Sequence, residues 1–233
     1  MKKLAVFVEG QTEQLFVCKL LEEIAGKNNI TIEKKKWRIN KKGIRVFTTV
    51  DVLSSNKKTS YNILIYDCGS DSKVKSDISE NYDNLVKNNY DKIIGLRDVY
   101  PNKYQEIGKI EKYLHYGIKT KPISVSIVLA VMEIEAWFLA EASHFTKIHK
   151  KLTIDRIVKH LNFDITKEDI ELRNHPAQDL NNIYGLESFA YNKRRKNCER
   201  TIKALDFNLI YLDLVNRIKY LTKFIYEINS FLT

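Results

Sequence analysis

The chain has 233 residues, 44% of them hydrophobic, with 8 Gly and 3 Pro; this suits one large domain, or a domain with an appendage, and excludes a disordered or linker-rich chain. Its formal charge of +10 favours a polyanionic partner, although a Lys-, Asn- and Ile-rich composition yields a basic chain without one. The widely spaced Cys18, Cys68 and Cys198 exclude a disulfide framework and a thiolate cage, no apolar run reaches the ~20 residues of a membrane span, and the start lacks a signal-peptide core, so a cytosolic, membrane-free protein is expected.

Leu4-Ala5-Val6-Phe7-Val8 has the length and β-branched content of a buried strand. Gly10 supplies a turn, and from Thr12 the spacing becomes helical, with Val17, Leu20, Leu21 and Ile24 on one face. Glu9 thus falls at the carboxyl end of a strand and Glu13 in the first turn of the next helix. Ligands of open α/β sheets bind at that edge. Two carboxylates four residues apart across such a turn suit a hard divalent cation such as Mg²⁺. The helix dipole alone also favours a Glu in the first turn, and a Glu after a strand is often simply solvated.

The basic run from Lys34 to Lys42, with Trp37 inside it, reads equally as a phosphate-contacting edge or as a solvated strand flank. Ile44 to Val50 predicts a strand, Val52 to Ser60 a loop, and Asn62 to Tyr66 a buried strand ending at Asp67. A helix follows over Ser72 to Asn88, with Asp71 as its expected cap. Tyr90 to Leu96 predicts a strand closing on Arg97 and Asp98, Tyr104 to Tyr116 a helix, and Ile123 to Leu129 a strand. This alternation predicts an α/β domain with a mostly parallel sheet. In parallel strands, Asp67 and Asp98 belong to the same edge as Glu9. Three acidic strand ends make a cation site credible, because clustered carboxylates repel unless a cation offsets them.

After Ala130 the pattern is helical: Ile154 to Leu161 is short and amphipathic, and Leu212 to Leu232 carries the spacing of one long amphipathic helix that packs back on the core. A soft boundary near residue 145 separates an α/β domain, 1–145, from a helical extension, 146–233. In Val131-Met132-Glu133-Ile134-Glu135-Ala136-Trp137, two glutamates interrupt an apolar run. Buried Glu is rare unless paired. On a helix the two would point about 200° apart, one toward a site and the other toward a basic partner; an ion pair to Lys or Arg is the plainer reading.

Together these residues resemble the Toprim-like families, which include topoisomerase and primase catalytic domains, the overcoming-lysogenization-defect nucleases and small bacterial Toprim-like proteins encoded beside ATPases. The resemblance spans roughly residues 4 to 140. It rests on Val8-Glu9-Gly10-Gln11-Thr12-Glu13, on Asp98-Val99-Tyr100 where the family has Asp-x-Asp, and on Met132 to Trp137. Tyr100 stands in place of the second Asp. The resemblance implies a Rossmannoid sheet with helices on both faces and Mg²⁺- or Mn²⁺-dependent cleavage of DNA or RNA. It also implies a role in anti-phage defence beside an ATPase partner. It assigns Glu9, Glu13 and Asp98 to metal, and implies either that Glu133 or Glu135 substitutes for the missing ligand or that the site binds one ion rather than two.

Lys193, Arg194, Arg195 and Arg200 form the densest cationic stretch beside a tyrosine. They are candidates to grip a phosphate backbone, with Lys193 reaching the scissile phosphate; a solvated helix start is the alternative. His175, in an expected polar loop before Asp179, reads as structural or substrate-positioning. A non-catalytic subunit that binds nucleic acid or an ATPase is the second functional reading. A nucleotidyl transferase is the third, weakened by the lack of a Walker-type phosphate loop.

Overall fold

The computed structural model describes residues 1–54 and 59–233. The protein is α/β, built on a six-stranded, mostly parallel sheet, with a helical C-terminal region. The strands are β1 (Lys2–Val8), β2 (Ile30–Ile39), β3 (Arg45–Leu53), β4 (Tyr61–Asp67), β5 (Lys92–Asp98) and β6 (Ser124–Ala130), in the order β3-β2-β4-β1-β5-β6. β1 pairs in parallel with β4 and β5, and β2 with β4, while β3 is antiparallel to β2. Leu4 to Val8 are entirely buried, as a central parallel strand covered on both faces requires. The register sets Val8 opposite both Asp67 and Leu96, so Glu9 follows the sheet's carboxyl edge directly.

Helices α1 (Gln11–Ala25), α2 (Asp71–Lys87) and α3 (Ile107–His115) alternate with these strands. A short 3₁₀ turn, Tyr104–Glu106, precedes α3, so the helix expected from Tyr104 begins tightly wound. Asp71 is not the cap of α2 but its first residue, ion-paired with Arg97 at 3.1 Å; Ser70 holds the cap position. β3 runs three residues beyond the expected strand, into the stretch read as a loop, because Leu53 still pairs with Ile32. The rest of that loop includes residues 55–58, which lie outside the described residues.

β2 is the strand that the sequence did not disclose. Three consecutive lysines hide it, and its ladder to β3 shifts register between Lys34 and Lys35. Lys34 is buried against Asp51, 2.5 Å away. Trp37 lies so close to Gly69 that a Cβ there would sit 1.8 Å from its Nε1, and the Arg45 guanidinium covers its ring at 5.5 Å. Gly69 also has φ +81°, open chiefly to glycine. The segment is a paired strand with Trp37 half-buried against Gly69, and its far end, Arg38 to Lys42, is largely exposed, as a solvated strand flank would be.

The C-terminal region comprises α4 (Glu135–Ala140), α5 (His144–Ile148), α6 (Ile154–Leu161), α7 (Pro176–Gly185), α8 (Arg195–Ala204), α9 (Phe207–Leu212) and α10 (Lys219–Leu232). The single long terminal helix is therefore broken. Asp206 caps α9 by accepting from the Asn208 and Leu209 amides, and the Asn216 side chain donates to the Leu212 carbonyl at its end. Apolar spacing continues across the break because both helices bury the same kind of face, which periodicity alone does not distinguish from one helix. Two compact units emerge. One comprises residues 1–97, 108–129 and 226–233, and the other residues 98–107 and 130–225. In the first, the end of α10 is tied to the sheet: the Tyr61 hydroxyl donates to the Leu232 carbonyl at 2.7 Å, and Lys92 pairs with Glu227 at 2.5 Å.

Candidate functional site

In the first unit, the turn from β1 to α1 carries Glu9, half-buried, and Glu13, buried in the first helical turn. The Gln14 amide donates to the Gly10 carbonyl, opening the helix, and the Gln14 side chain donates to the carbonyls of Lys35 and Ile65, both at 2.9 Å. These bonds fix the helix start against β2 and β4. The Glu13 carboxylate folds back over the turn: a Cβ on Gly10 would come within 3.3 Å of its Oε2. Two carboxylates thus flank one short turn at the carboxyl edge of a parallel sheet, with hard oxygen donors.

Asp67 ends β4 and is buried. Its carboxylate accepts from the Gly69 amide at 3.0 Å and pairs with Lys36 at 3.3 Å. Those partners make it the organiser of the β4–α2 turn.

In the second unit, Asp98 is buried and accepts from the Ile134 amide at 3.1 Å. The Val99 amide donates to Ala130, and the Tyr100 amide to Met132 at 2.8 Å. Met132 adopts φ 56°, a left-handed conformation uncommon for a non-glycine residue. Asp98 and the Tyr100 backbone therefore hold the bend that delivers Glu133 and Glu135. Tyr100 packs edge-on to the exposed His175 ring at 5.8 Å.

Glu133 precedes α4 and Glu135 is its first residue, so the two do not diverge as they would within one helix. Both reach Lys193: its Nζ is 3.2 Å from Glu133 Oε1 and 3.5 Å from Glu135 Oε2. Glu133 Oε2 accepts from the Ala177 amide at the start of α7, where the helix dipole favours an anion. Glu135 Oε1 accepts from the Tyr191 hydroxyl at 2.6 Å. Burial pushes the Glu135 carboxyl above its ordinary value; Lys193 opposes this, neighbouring Glu133 adds to it, and the Tyr191 hydrogen bond opposes it again. Tyr191, the tyrosine beside the cationic stretch, is placed by its own amide on Asn181; nothing in the sequence pairs it with Glu135.

The other basic candidates have local partners. Arg195 pairs with Glu199, and Arg200 donates to the Ala190 carbonyl and lies 5.0 Å from the Phe189 ring. Arg194 stands exposed at the start of α8. Asp179 does not lie in a loop: it sits in the first turn of α7, in a two-pronged pair with Arg173 at 2.7 and 2.8 Å. Among the described residues, no three His, Cys, Asp or Glu side chains gather as a ready-made metal cage.

A protein family described as a domain of unknown function, DUF4276, matches residues 8–171, well over half of the chain. The chain belongs to the DUF4276 family. No curated protein and no solved structure matches it. The span of DUF4276 holds Glu9, Glu13, Asp67, Asp98, Glu133 and Glu135, while Tyr191, Lys193 and the arginines lie beyond it. No helix among the described residues is long and apolar enough to cross a membrane.

Proposed function

We propose that this protein is a Mg²⁺- or Mn²⁺-dependent nuclease of Toprim-like type, working in the cytoplasm beside an ATPase in anti-phage defence. The observation that carries the proposal is the β1–α1 turn, where Glu9 and the buried Glu13 flank Gly10 at the carboxyl edge of a parallel sheet. Such donors fit the ion. Mg²⁺ commonly keeps several waters and is held by one or two carboxylates plus substrate phosphate, so a pair of glutamates suffices without a full cage. When bound, the ion would supply Lewis acidity and charge neutralisation at the phosphodiester. Glu9 and Glu13 would hold it, and Asp98 joins them as a ligand on the resemblance alone. The charge of +10 supports a nucleic-acid substrate, and the ATPase partner rests on the resemblance.

The test combines calorimetric Mn²⁺ titration with cleavage assays on single- and double-stranded DNA and RNA, with and without the ATPase encoded alongside. Glu9→Gln, Glu13→Gln and Asp98→Asn are each expected to lower cleavage at least about a hundredfold while the fold persists, roughly the scale of losing one transition-state charge stabiliser. Glu9→Gln and Glu13→Gln should also weaken Mn²⁺ binding. Unchanged cleavage in all three would overturn the reading.

A second reading, a non-catalytic subunit that binds nucleic acid or the ATPase, is favoured by Glu133 and Glu135 already being ion-paired with Lys193. It predicts nucleic-acid binding without cleavage in any metal, and no measurable Mn²⁺ affinity at Glu9 and Glu13.

A further inference from the structure

β3 closes one end of the sheet: β2 pairs with one flank, and among the described residues no strand lies on the other. The outer flank therefore offers a row of backbone donors and acceptors. Soluble proteins commonly blunt such an edge with lysine, proline or a very short strand. β3 is nine residues long and contains neither lysine nor proline, and its one arginine is turned onto Asp77. Aliphatic side chains stand out along it instead: Ile44, just before the strand, is 55% exposed, Val50 41% and Val52 52%.

The irregularity in the ladder decides which of these residues share a face. Lys34 is opposite Asp51 and Lys35 is opposite Thr49, so Val50 is an extra residue in β3. Side chains alternate along a strand. Counted with Val50 left out, Ile44, Val46, Thr48, Asp51 and Leu53 lie on one face. At the Leu53 end, Ile30, Ile32, Val52 and Leu53 line an open hollow of about 360 Å³. At the other end, Ile44 projects from the hairpin turn, its carbonyl accepting from the Asn40 amide. An apolar knob and an apolar hollow thus sit at opposite ends of one strand, roughly 30 Å apart for nine residues. They do not meet within one chain. They meet twice when the strand pairs antiparallel with itself about a two-fold axis normal to the sheet, which keeps that face on one side in both copies.

We propose that the occupant of the β3 edge is a second copy of this chain, joined β3 to β3 so that two six-stranded sheets become one. The register follows from the faces. Ile44 faces Leu53 of the second copy and seats at its hollow, Val46 faces Asp51, and Thr48 faces its own counterpart on the axis. On the other face, Arg45 meets Val52 and Phe47 meets Thr49. No like charges stand directly opposite, an arrangement that would oppose pairing. Backbone hydrogen bonds supply the joint, and the alternate side chains supply its selectivity for this partner. The interface goes beyond the nuclease reading and does not depend on it.

Its test uses the full chain. Sedimentation across a dilution series is expected to give twice the chain mass of 27.3 kDa at high concentration and the single mass at low. Ile44→Lys, a change at an exposed turn, should weaken the dimer at least about tenfold, since the symmetry withdraws the same apolar contact twice. Thr48→Cys should give a disulfide-linked dimer under mild oxidation, because facing residues of an antiparallel pair bring their Cα atoms to about 4.5–5.5 Å, within disulfide reach. The native Cys18, Cys68 and Cys198 are buried and stay out of that reaction. Ser54→Cys, remote from the axis, should not link. The proposal is overturned if the chain is single at every concentration, if Ile44→Lys associates as tightly as the parent, or if Thr48→Cys links no better than Ser54→Cys. Should Ile44→Lys not fold, the comparison of the two cysteine variants decides. Cleavage of nucleic acid enters none of these readouts.

Discussion

Each unit buries a carboxylate and meets it with a base, but the two solutions differ. In the first unit, Asp77 is fully buried and Arg45 grips both of its oxygens while also donating to the Cys68 carbonyl at 2.7 Å. The planar fork of arginine matches a carboxylate oxygen for oxygen. In the second unit, Lys193 divides one point charge between Glu133 and Glu135, and Glu135 Oε2 is left without a hydrogen bond. The Arg45 pair gives each Asp77 oxygen a guanidinium donor and acts as cement between β3 and α2. The lysine cluster keeps an electrostatic deficit inside the protein, the kind of deficit that a ligand relieves.

Removing each base tests this contrast most strongly. Arg45→Met should cost about 3–5 kcal/mol in urea unfolding, because it strands a buried carboxylate. Lys193→Met should cost less, under about 2 kcal/mol, since the lysine is partly solvated and loosely held. Equal losses would erase the distinction.

Neutralising the acids sharpens it further. Asp77→Asn should lower stability by about 2 kcal/mol by giving up a charge-assisted, two-pronged pair. Glu135→Gln keeps the acceptor for Tyr191 and removes a buried charge, so its melting temperature should hold or rise. A Glu135→Gln melt as depressed as that of Asp77→Asn would make the cluster ordinary cement.

Acidity offers a subtler probe. A carboxyl whose folded pKa is raised holds its proton more tightly in the folded state, so its stabilising effect is complete below the ordinary value and is lost as pH rises through the folded one. Glu135 is shifted in that direction by burial. Elsewhere in the same unit, burial raises Glu171 from 4.5 to about 7. Glu171's own contribution should therefore be lost from about pH 4.5 to 7, so Glu171→Gln should gain stability relative to the parent across that interval, read as the difference between the two proteins' melts at each pH. The smallest effect concerns the exposed arginines: Arg194→Ala with Arg195→Ala should reduce the salt slope of nucleic-acid binding by about one unit per lost phosphate contact, read by fluorescence anisotropy.

Buried parallel strands announce themselves, and β1 and β4 were legible from unbroken apolar runs. So was α6, from an amphipathic pattern that ends where the helix ends. β2 was not, because Lys34 is admitted to the interior by Asp51 and the half-exposed Lys36 is held by Asp67, partners that periodicity cannot see. The glutamates at 133 and 135 stood out as anomalies in an apolar run, and Lys193 stood out as part of a cationic cluster. Their meeting did not, since it depends on a bend at Met132 and on residues sixty positions apart. The expected divergence of the two glutamates assumed a helix through both, whereas α4 starts only at the second.

The interleaving of the two units has a consequence for the order in which the protein is made. The chain leaves the first unit after residue 97, returns at 108, leaves again after 129 and comes back only at 226. Residues 226–233 then supply the Leu232 carbonyl to Tyr61 and Glu227 to Lys92. During synthesis the sheet's strands all emerge before residue 131, yet their unit waits for residues 226–233 before these contacts are in place. The second unit is complete only at residue 225. Neither can be released intact by one proteolytic cut, and a simple domain-by-domain order is closed to this pair: the first unit still lacks residues 226–233 when the last residue of the second, 225, has been made.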